Sequence, residues 1–389
     1  MKSVFGDKIT VSLFGESHGT HIGGVLSGFP PGIRVDESKL HKFLMRRNPG
    51  NGRNKGATNR IESDRPKFLS GIKDGYTNGF PIAFTIENQD IKEDDYFKIK
   101  DVPRPGHSDY TAKIKYGAYA DISGGGHFSG RLTAPLCVCG WFCIALLRMR
   151  GIEVSAEIAS IHGKSKDMEV EIEKAEAAGD SVGGVISCII KGVHAGYGGP
   201  YFEGLEGEIS KAIFAIPAVK GIEFGNGFES TKIYGSENND EYTLDEDLYP
   251  TGESESDSCK TQLLREEAFC DCGELSENVE SMMSKRGSYV TMETIGQEDI
   301  KKGDILQEIK MMSNNSGGIL GGISTGSDIT FNVAIKPTPS IKKAQRSIDL
   351  KTGKPVNIEI KGRHDSCIVP RAVPCVEAAA AIALVQFVE

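Results

Sequence analysis

Hydrophobic and polar positions along the chain alternate between two periods, one suited to strands and one to helices. Residues 8–14 (KITVSLF) and 22–28 read as strands, and the polar turn GESHGT separates them. Asp36 is placed to cap a helix over about 37–47, with Leu40, Phe43 and Leu44 on one face. Strand-like runs follow near 67–73 and 81–87. Residues 131–150 form a long apolar helix that Gly151 stops. A strand near 152–162, a polar helix near 167–178 and a strand near 182–193 come next. A helix over 205–215, a strand over 219–224, an alternating strand over 328–336 and an apolar helix over about 372–388 complete the pattern.

The two most apolar helices are hydrophobic nearly all round, so they require burial on most sides. The alternating strands require burial on one face only. An α+β fold satisfies both: a β-α-β sandwich, with helices packed between two largely antiparallel sheets. A doubly wound parallel sheet fits less well, because strands often follow one another with no helix between. Leu132 to Leu147 carries no charge, but it is shorter than the ~20 residues a bilayer needs, and Arg131, Arg148 and Arg150 close its ends. It reads as a buried core helix, and no membrane partner is expected.

Charge changes the picture in two places. The chain carries a net charge of −9 over 389 residues, which argues against general nucleic-acid binding. Yet residues 42–67 hold eight Lys/Arg and only two acids, Glu62 and Asp64, with Phe43 near the start as the clearest aromatic. A basic loop in an acidic protein, without rings to stack bases, suits a small, multiply charged anion. Residues 236–258 show the reverse, nine Asp/Glu and no Lys/Arg. With the weakly patterned polar stretch after them, they suggest a partly disordered surface insertion over 236–312. The nine cysteines are unevenly spaced and offer no zinc-binding pairs, so no metal site is expected and a reducing, cytoplasmic setting is.

Several short segments carry candidate chemistry. His18 sits in Gly15-Glu16-Ser17-His18-Gly19 directly after a strand, where glycines let a backbone approach a ligand and a histidine can exchange a proton near neutral pH. His107 sits in a second rigid turn, Arg104 to Tyr110, in which Asp109 could orient a neighbour. Ser123 to Arg131 places glycines before the apolar helix, an arrangement suited to anions. Arg131 there needs a partner if it starts a buried helix. Ser316 to Gly322 is another glycine turn, without the spacing of a dinucleotide fingerprint. Lys336-Pro337-Thr338-Pro339-Ser340 offers a cation and two hydroxyls to a phosphate. In Arg363-His364-Asp365, a carboxylate beside a cation stays ionised and can act as a base. Each has a plainer reading, as a surface histidine, a linker or a local ion pair. His21, His41, His162 and His194 lack such settings and read as structural.

Taken in order, these segments resemble the chorismate synthase family: GESHG at 15–19, RRNPGNGR at 46–53, RPGHSDY at 104–110, GGGHFSGR at 124–131, IPAVKGIEFG at 216–225, NNSGGILGGIS at 314–324, KPTPS at 336–340 and GRHD at 362–365. The resemblance implies one domain spanning 1–389 around the insertion, a homotetramer, and a lyase that eliminates phosphate from 5-enolpyruvylshikimate 3-phosphate with the help of reduced FMN. It implies His18, His107 and Asp365 as catalytic groups. His18 would act as an acid towards the phosphate, His107 would give a proton to the flavin, and Asp365 would work with the flavin on the ring proton. Arg47, Arg53 and Arg131 would bind substrate or NADPH. His127, Phe128, Ser129, Pro217, Ala218, Gly321, Lys336, Pro337, Thr338, Pro339, Ser340 and Arg363 would contact the flavin. The reductant would be NADPH, directly or through a separate reductase. The chain departs from the family pattern at His127-Phe128, where Arg-Ser is common, at Asn48, where a third arginine is frequent, and in the length of 236–312.

Two other classes are weighed against this. A kinase or phosphatase should show a phosphate-binding loop of the G-x-x-x-x-G-K-[ST] type, and the sequence has none. An RNA-binding module using residues 42–67 would bind in a strongly salt-dependent way.

Overall fold

A computed structural model describes residues 3–49, 56–57, 62–89, 101–121, 123–243, 309–360 and 364–388. Near the N-terminus, β1 (Val4–Phe5), β2 (Thr10–Gly15) and β3 (His21–Ser27) are antiparallel neighbours. Helix α1 (Glu37–Arg47) starts where expected, with the Asp36 side chain accepting from the Lys39 amide. The strand-like run near 67–73 divides into β4 (Lys67–Phe68) and β5 (Ile72–Lys73). Between them Gly71 has φ +84°, and a side chain there would strike the backbone of Pro81 and Ile82. β5 then pairs with β6 (Tyr76–Thr77), and β7 (Ile82–Glu87) joins β3, so the first sheet runs β1-β2-β3-β7-β4.

Helix α2 (Asp109–Tyr116) is followed by a 3-10 turn at Gly130–Leu132 and the apolar helix α3 (Thr133–Met149). β8 (Glu153–Ile161), α4 (Met168–Ala177), β9 (Gly184–Lys191), α5 (Leu205–Ile213) and β10 (Val219–Phe224) follow. Beyond them, α6 (Gly235–Asn238) precedes β11 (Tyr242–Thr243), which pairs with β12 (Lys310–Met311). The hairpin β13 (Ile319–Leu320) and β14 (Ile323–Ser324) leads into β15 (Ile329–Ile335). The second sheet is antiparallel in the order β10-β15-β9-β8. A ribbon of β16 (Gln345–Ile348) and β17 (Pro355–Ile358) precedes the last helix, α7 (Val369–Leu384).

The sandwich follows from where α3 and α7 pack. α3 lies on the first sheet through β2 and β3, and α7 lies on the second through β8 and β9. The two helices meet at Gly140 of α3, where a Cβ would overlap the Cα and Cβ of Ala378. Small residues at the crossing let both helices stay in the middle layer, which explains the run of alanines after Glu377. Gly130–Met149, the 3-10 turn together with α3, is long and apolar enough to span a membrane by composition, but most of it is buried inside the protein. α7 starts three residues earlier than its apolar pattern suggests and takes in both Pro370 and Pro374. A proline near the first helical position costs no hydrogen bond and has a preset φ, so Pro370 starts the helix instead of preceding it.

Contacts divide the chain into two units, 1–228 with 317–389, and 229–316. In the second unit the Asp240 carboxylate accepts from the Ser313 hydroxyl at 2.6 Å and from the amides of Asn315 at 2.7 Å and Ser316 at 2.9 Å. Much of the acidic insertion expected over 236–312, residues 244–308, lies outside the described residues.

Candidate functional site

The turn carrying His18 joins β2 to β3 and is packed from above by the glycine run. Gly124, Gly125 and Gly126 all have positive φ, and a Cβ on Gly124 would overlap the His18 ring. The Ser17 amide donates to the Gly126 carbonyl at 3.1 Å. Only glycine allows backbone this close to an imidazole, so two motifs separated in sequence form one wall, with His18 buried in it. His127 completes that wall. Its Nδ1 lies 2.8 Å from the Gly15 carbonyl, which can only accept, so Nδ1 carries the proton and Nε2 faces the Ser3 hydroxyl at 2.7 Å. Both ring nitrogens are therefore engaged within the protein. Ser129 caps the 3-10 turn by accepting from the Arg131 amide, and Phe128 is exposed beside Tyr116.

Beneath this wall the two arginines of the basic motifs are buried together. Arg47 Nη2 donates to Asp64 Oδ2 at 2.6 Å and to Glu62 Oε2 at 3.2 Å. Arg131 Nη1 donates to Glu62 Oε2 at 3.1 Å and to Asp64 Oδ1. Burial alone would raise the Asp64 carboxyl, but the two guanidiniums outweigh it and hold it down at about 2. The cluster therefore sets two cations against two carboxylates. Arg131 has the partner its burial demanded, and both guanidiniums point at protein carboxylates.

Asp365 reaches the same cluster from the other side. Its Oδ2 accepts from Arg371 Nη1 at 2.5 Å, and Arg371 Nε donates to the Arg47 carbonyl at 2.9 Å. Arg371, in the first turn of α7, is thus a cation fixed beside this carboxylate. The Ser366 amide donates to the Gly56 carbonyl at 2.7 Å, which ties this stretch to the basic loop.

His107 belongs to a second wall. Asp109 closes its turn by accepting from Arg104 Nε at 2.7 Å, Nη2 at 2.8 Å and the Arg104 amide at 3.0 Å. His107 Nε2 lies 2.8 Å from the Ser340 hydroxyl, and Lys336 Nζ donates to the Gly106 carbonyl at 2.8 Å. Burial first, then the Arg104 guanidinium, push His107 down to about 4, and Lys336 and His364 act in the same direction. Ala218 has a left-handed φ of 75°, which is strained for a residue with a Cβ, and its carbonyl accepts from the Lys336 amide at 2.9 Å. Burial and the adjacent Lys220 lower the Lys336 ammonium. The Thr338 hydroxyl is shut away from solvent with no hydrogen-bond partner among the described residues, while Pro337 is exposed.

Pro217, Ala218 and Lys336 to Ser340 thus gather with His107. Gly321 does not join them. It forms the tip of the β13–β14 hairpin, with positive φ at both Gly321 and Gly322 as such two-residue turns require. That hairpin lies at the start of β15 and Lys336 at its end, roughly 20 Å apart at ~3.3 Å per residue. Arg53 and Arg363 lie outside the described residues.

Glu62, Asp64, Asn88, Lys220 and Arg371 were not singled out from the sequence as parts of a site. Glu62 and Asp64 did carry a signal, as the only acids in a basic stretch, and Arg371 is the one charged residue besides Glu377 in an otherwise apolar helix. Asn88 carries no such signal.

The sequence profile described as chorismate synthase matches residues 9–263 and 273–388. The chorismate synthase of Thermococcus kodakarensis is 37% identical over 401 residues, covering 97% of this chain and 95% of that protein. That of Pyrococcus abyssi is 39% identical over 402 residues, with the same two shares of 97% and 95%. That of Lachnoclostridium phytofermentans is 39% identical over 406 residues, covering 98% and 94%. A solved structure titled as a crystal structure of chorismate synthase superposes with a TM-score of 0.63 at 22% identity, covering 98% of this chain and 92% of that one, and so supports the fold.

Proposed function

The chain belongs to the chorismate synthase family, and from that premise we propose how its residues carry the family's reaction. The enzyme is a carbon–oxygen lyase that removes phosphate from 5-enolpyruvylshikimate 3-phosphate by anti 1,4-elimination, giving chorismate for aromatic amino acid biosynthesis. Two bonds break: the C–O bond to phosphate and a ring C–H bond. One group must therefore meet the departing phosphate and another must take the proton.

His18 is the acid at the phosphate. It is buried against glycine backbone at the end of β2, where a fixed imidazole can give a proton to a leaving oxygen. Asp365 receives the ring proton, and its pairing with Arg371 holds the carboxylate in place. His107 holds a proton towards the cofactor and is oriented by Ser340. The observation that carries this reading is the run of contacts from the His18 turn through Asn88, Arg131, Asp64, Arg47 and Arg371 to Asp365.

The wall around Lys336 fits reduced FMN. The unpartnered Thr338 hydroxyl and the paired ammonium groups of Lys336 and Lys220 suit a phosphate ester, and the strained Ala218 lies beside them. When bound, the reduced flavin supplies an electron-rich ring that eases C–O cleavage without net redox change. Pro217, Ala218 and Lys336 to Ser340 are its contacts, with Phe128 exposed towards solvent for another. His127 and Ser129 act by holding the glycine run. Arg47 and Arg131 lie beneath the substrate site, their charges balanced by Glu62 and Asp64, while substrate or NADPH binding by Arg53 and flavin binding by Arg363 are carried over from the family. Gly321, remote from Lys336 on its own chain, suits contact with the cofactor of a neighbouring copy in a homotetramer. NADPH is the reductant, and the free thiols of Cys137, Cys139, Cys143, Cys188, Cys367 and Cys375 agree with a cytoplasmic enzyme.

The test is anaerobic incubation with chemically reduced FMN and 5-enolpyruvylshikimate 3-phosphate. Phosphate should be released as the chorismate absorbance appears. A folded, flavin-binding protein that gives no turnover refutes the reading.

A further inference from the structure

Asn88 stands just after β7, next to the pairing of Glu87 with His21 at the start of β3. It is 8% exposed, and its backbone amide and both ends of its side-chain amide are engaged. Its backbone amide donates to the Thr20 carbonyl at 3.0 Å. Its side-chain amide donates to the Gly19 carbonyl at 2.6 Å and to the Glu16 carbonyl at 3.1 Å. Its side-chain oxygen accepts from Arg131 Nε at 2.9 Å. A primary amide has two N–H donors and one oxygen, and here all three have partners.

The consequences are local and specific. Three carbonyls of the segment 16–20 end on one residue, so the turn that presents His18 is held from below by Asn88 and from above by the glycine run. The same side chain sets the direction of Arg131, whose Nη1 then meets Glu62 and Asp64. No other contact described above joins the His18 turn to the arginine cluster through a single side chain. We propose that Asn88 is a positioning residue that locks the His18 turn to Arg131 and so fixes the acid relative to the anionic substrate. This rests on the reading of His18 as the acid at the phosphate. Asn88 itself touches neither substrate nor cofactor.

Asn88→Asp separates the two halves of the clamp. It keeps an acceptor for Arg131 but loses both donors, and it sets a carboxylate against two carbonyl oxygens. Asn88→Ala removes both halves. Small misplacement of an acid can cost up to about 10²-fold in rate, so each variant should lower kcat by at least ~10-fold while KM stays within about threefold. In a His18→Ala background, Asn88→Asp should lower kcat no further, because the group it positions is gone. Hydrogen exchange of a peptide covering 15–21 should quicken in both variants, while α7 exchanges as in the parent. Normal kcat in the single variants, full multiplication of losses in the double, or unchanged exchange at 15–21 would each overturn the proposal. Near-normal turnover in His18→Ala alone refutes the reading of His18 instead, and the exchange experiment still decides on Asn88. If Asn88→Ala does not fold, Asn88→Asp, which keeps the side-chain volume, carries the test.

Discussion

Asp64→Asn is the substitution whose effect the structure predicts most directly. Asp64 is fully buried, with Arg47 on one oxygen and Arg131 on the other, and its backbone has a left-handed φ of 45°. Its carboxyl, ordinarily near 3.8, is held at about 2. Each pKa unit corresponds to about 1.4 kcal/mol, so linkage alone assigns about 2 kcal/mol of stability to the charged form. The amide keeps the shape but leaves two buried guanidiniums facing the single charge of Glu62, and breaking a buried pair costs about 3–5 kcal/mol. The folded carboxyl is depressed, so its contribution is complete above about pH 4 and fades as pH falls through about 2. Trp141, the only tryptophan, lies in α3 against Phe142 and reports unfolding by fluorescence. Urea titrations at pH 7 should show the variant less stable by about 3–5 kcal/mol, with the gap narrowing below pH 4. Adding Arg47→Met should recover part of the loss, because it removes one of the stranded charges. A single variant within about 1 kcal/mol of the parent would refute the view that Asp64 neutralises both arginines.

Two further outcomes follow from the same geometry. His107, pushed down to about 4, is neutral at pH 7, so folding is favoured in full above about 6.5 and loses up to about 3 kcal/mol as pH drops towards 4. Histidine NMR titration should find this low midpoint, His107→Gln should flatten the stability loss over that range, and a midpoint near 6.5 would contradict the burial argument. Gly140→Ala should destabilise by about 1–3 kcal/mol despite the better helix propensity of alanine, because the added methyl overlaps Ala378; a stabilised variant in thermal melts would show that α3 and α7 separate freely.

The glycine motifs were legible because they record close approach. Gly124 can be nothing else against the His18 ring, so the constraint is written at the position itself. The sandwich was legible for a similar reason: α3 and α7 are apolar all round, and only a middle layer buries such helices. The start of α7 was misplaced because Pro370 reads as a breaker in one dimension and as a first-turn residue in three. The roles of Arg47 and Arg131 were harder still. Counting charges from 42 to 67 shows an excess of cations, but not that Glu62 and Asp64 turn inward onto one of them, Arg47, and onto the distant Arg131. Asn88 left no trace in the pattern, because its side-chain partners lie 43 to 72 positions away and nothing periodic marks such contacts; the charge of Arg371 in an apolar helix was visible, but not its bond to the Arg47 carbonyl 324 positions away.

The arginine cluster gains little for stability by being charged. Burying ions is costly, and a well-packed apolar cluster of the same size would serve the fold as well or better. What charge adds is direction. Two guanidiniums bound to the same pair of carboxylates cannot rotate independently. Arg131 passes that constraint to the His18 turn through Asn88, and Arg47 passes it through its carbonyl to Arg371 and Asp365. An anti elimination needs its acid and its base on fixed, opposed sides of one ring, and both groups here sit on short turns that could not hold such a relation alone. The buried charges tie the two turns together, and with His18 and Asp365 in their proposed roles the chemistry would depend on residues that never touch the substrate.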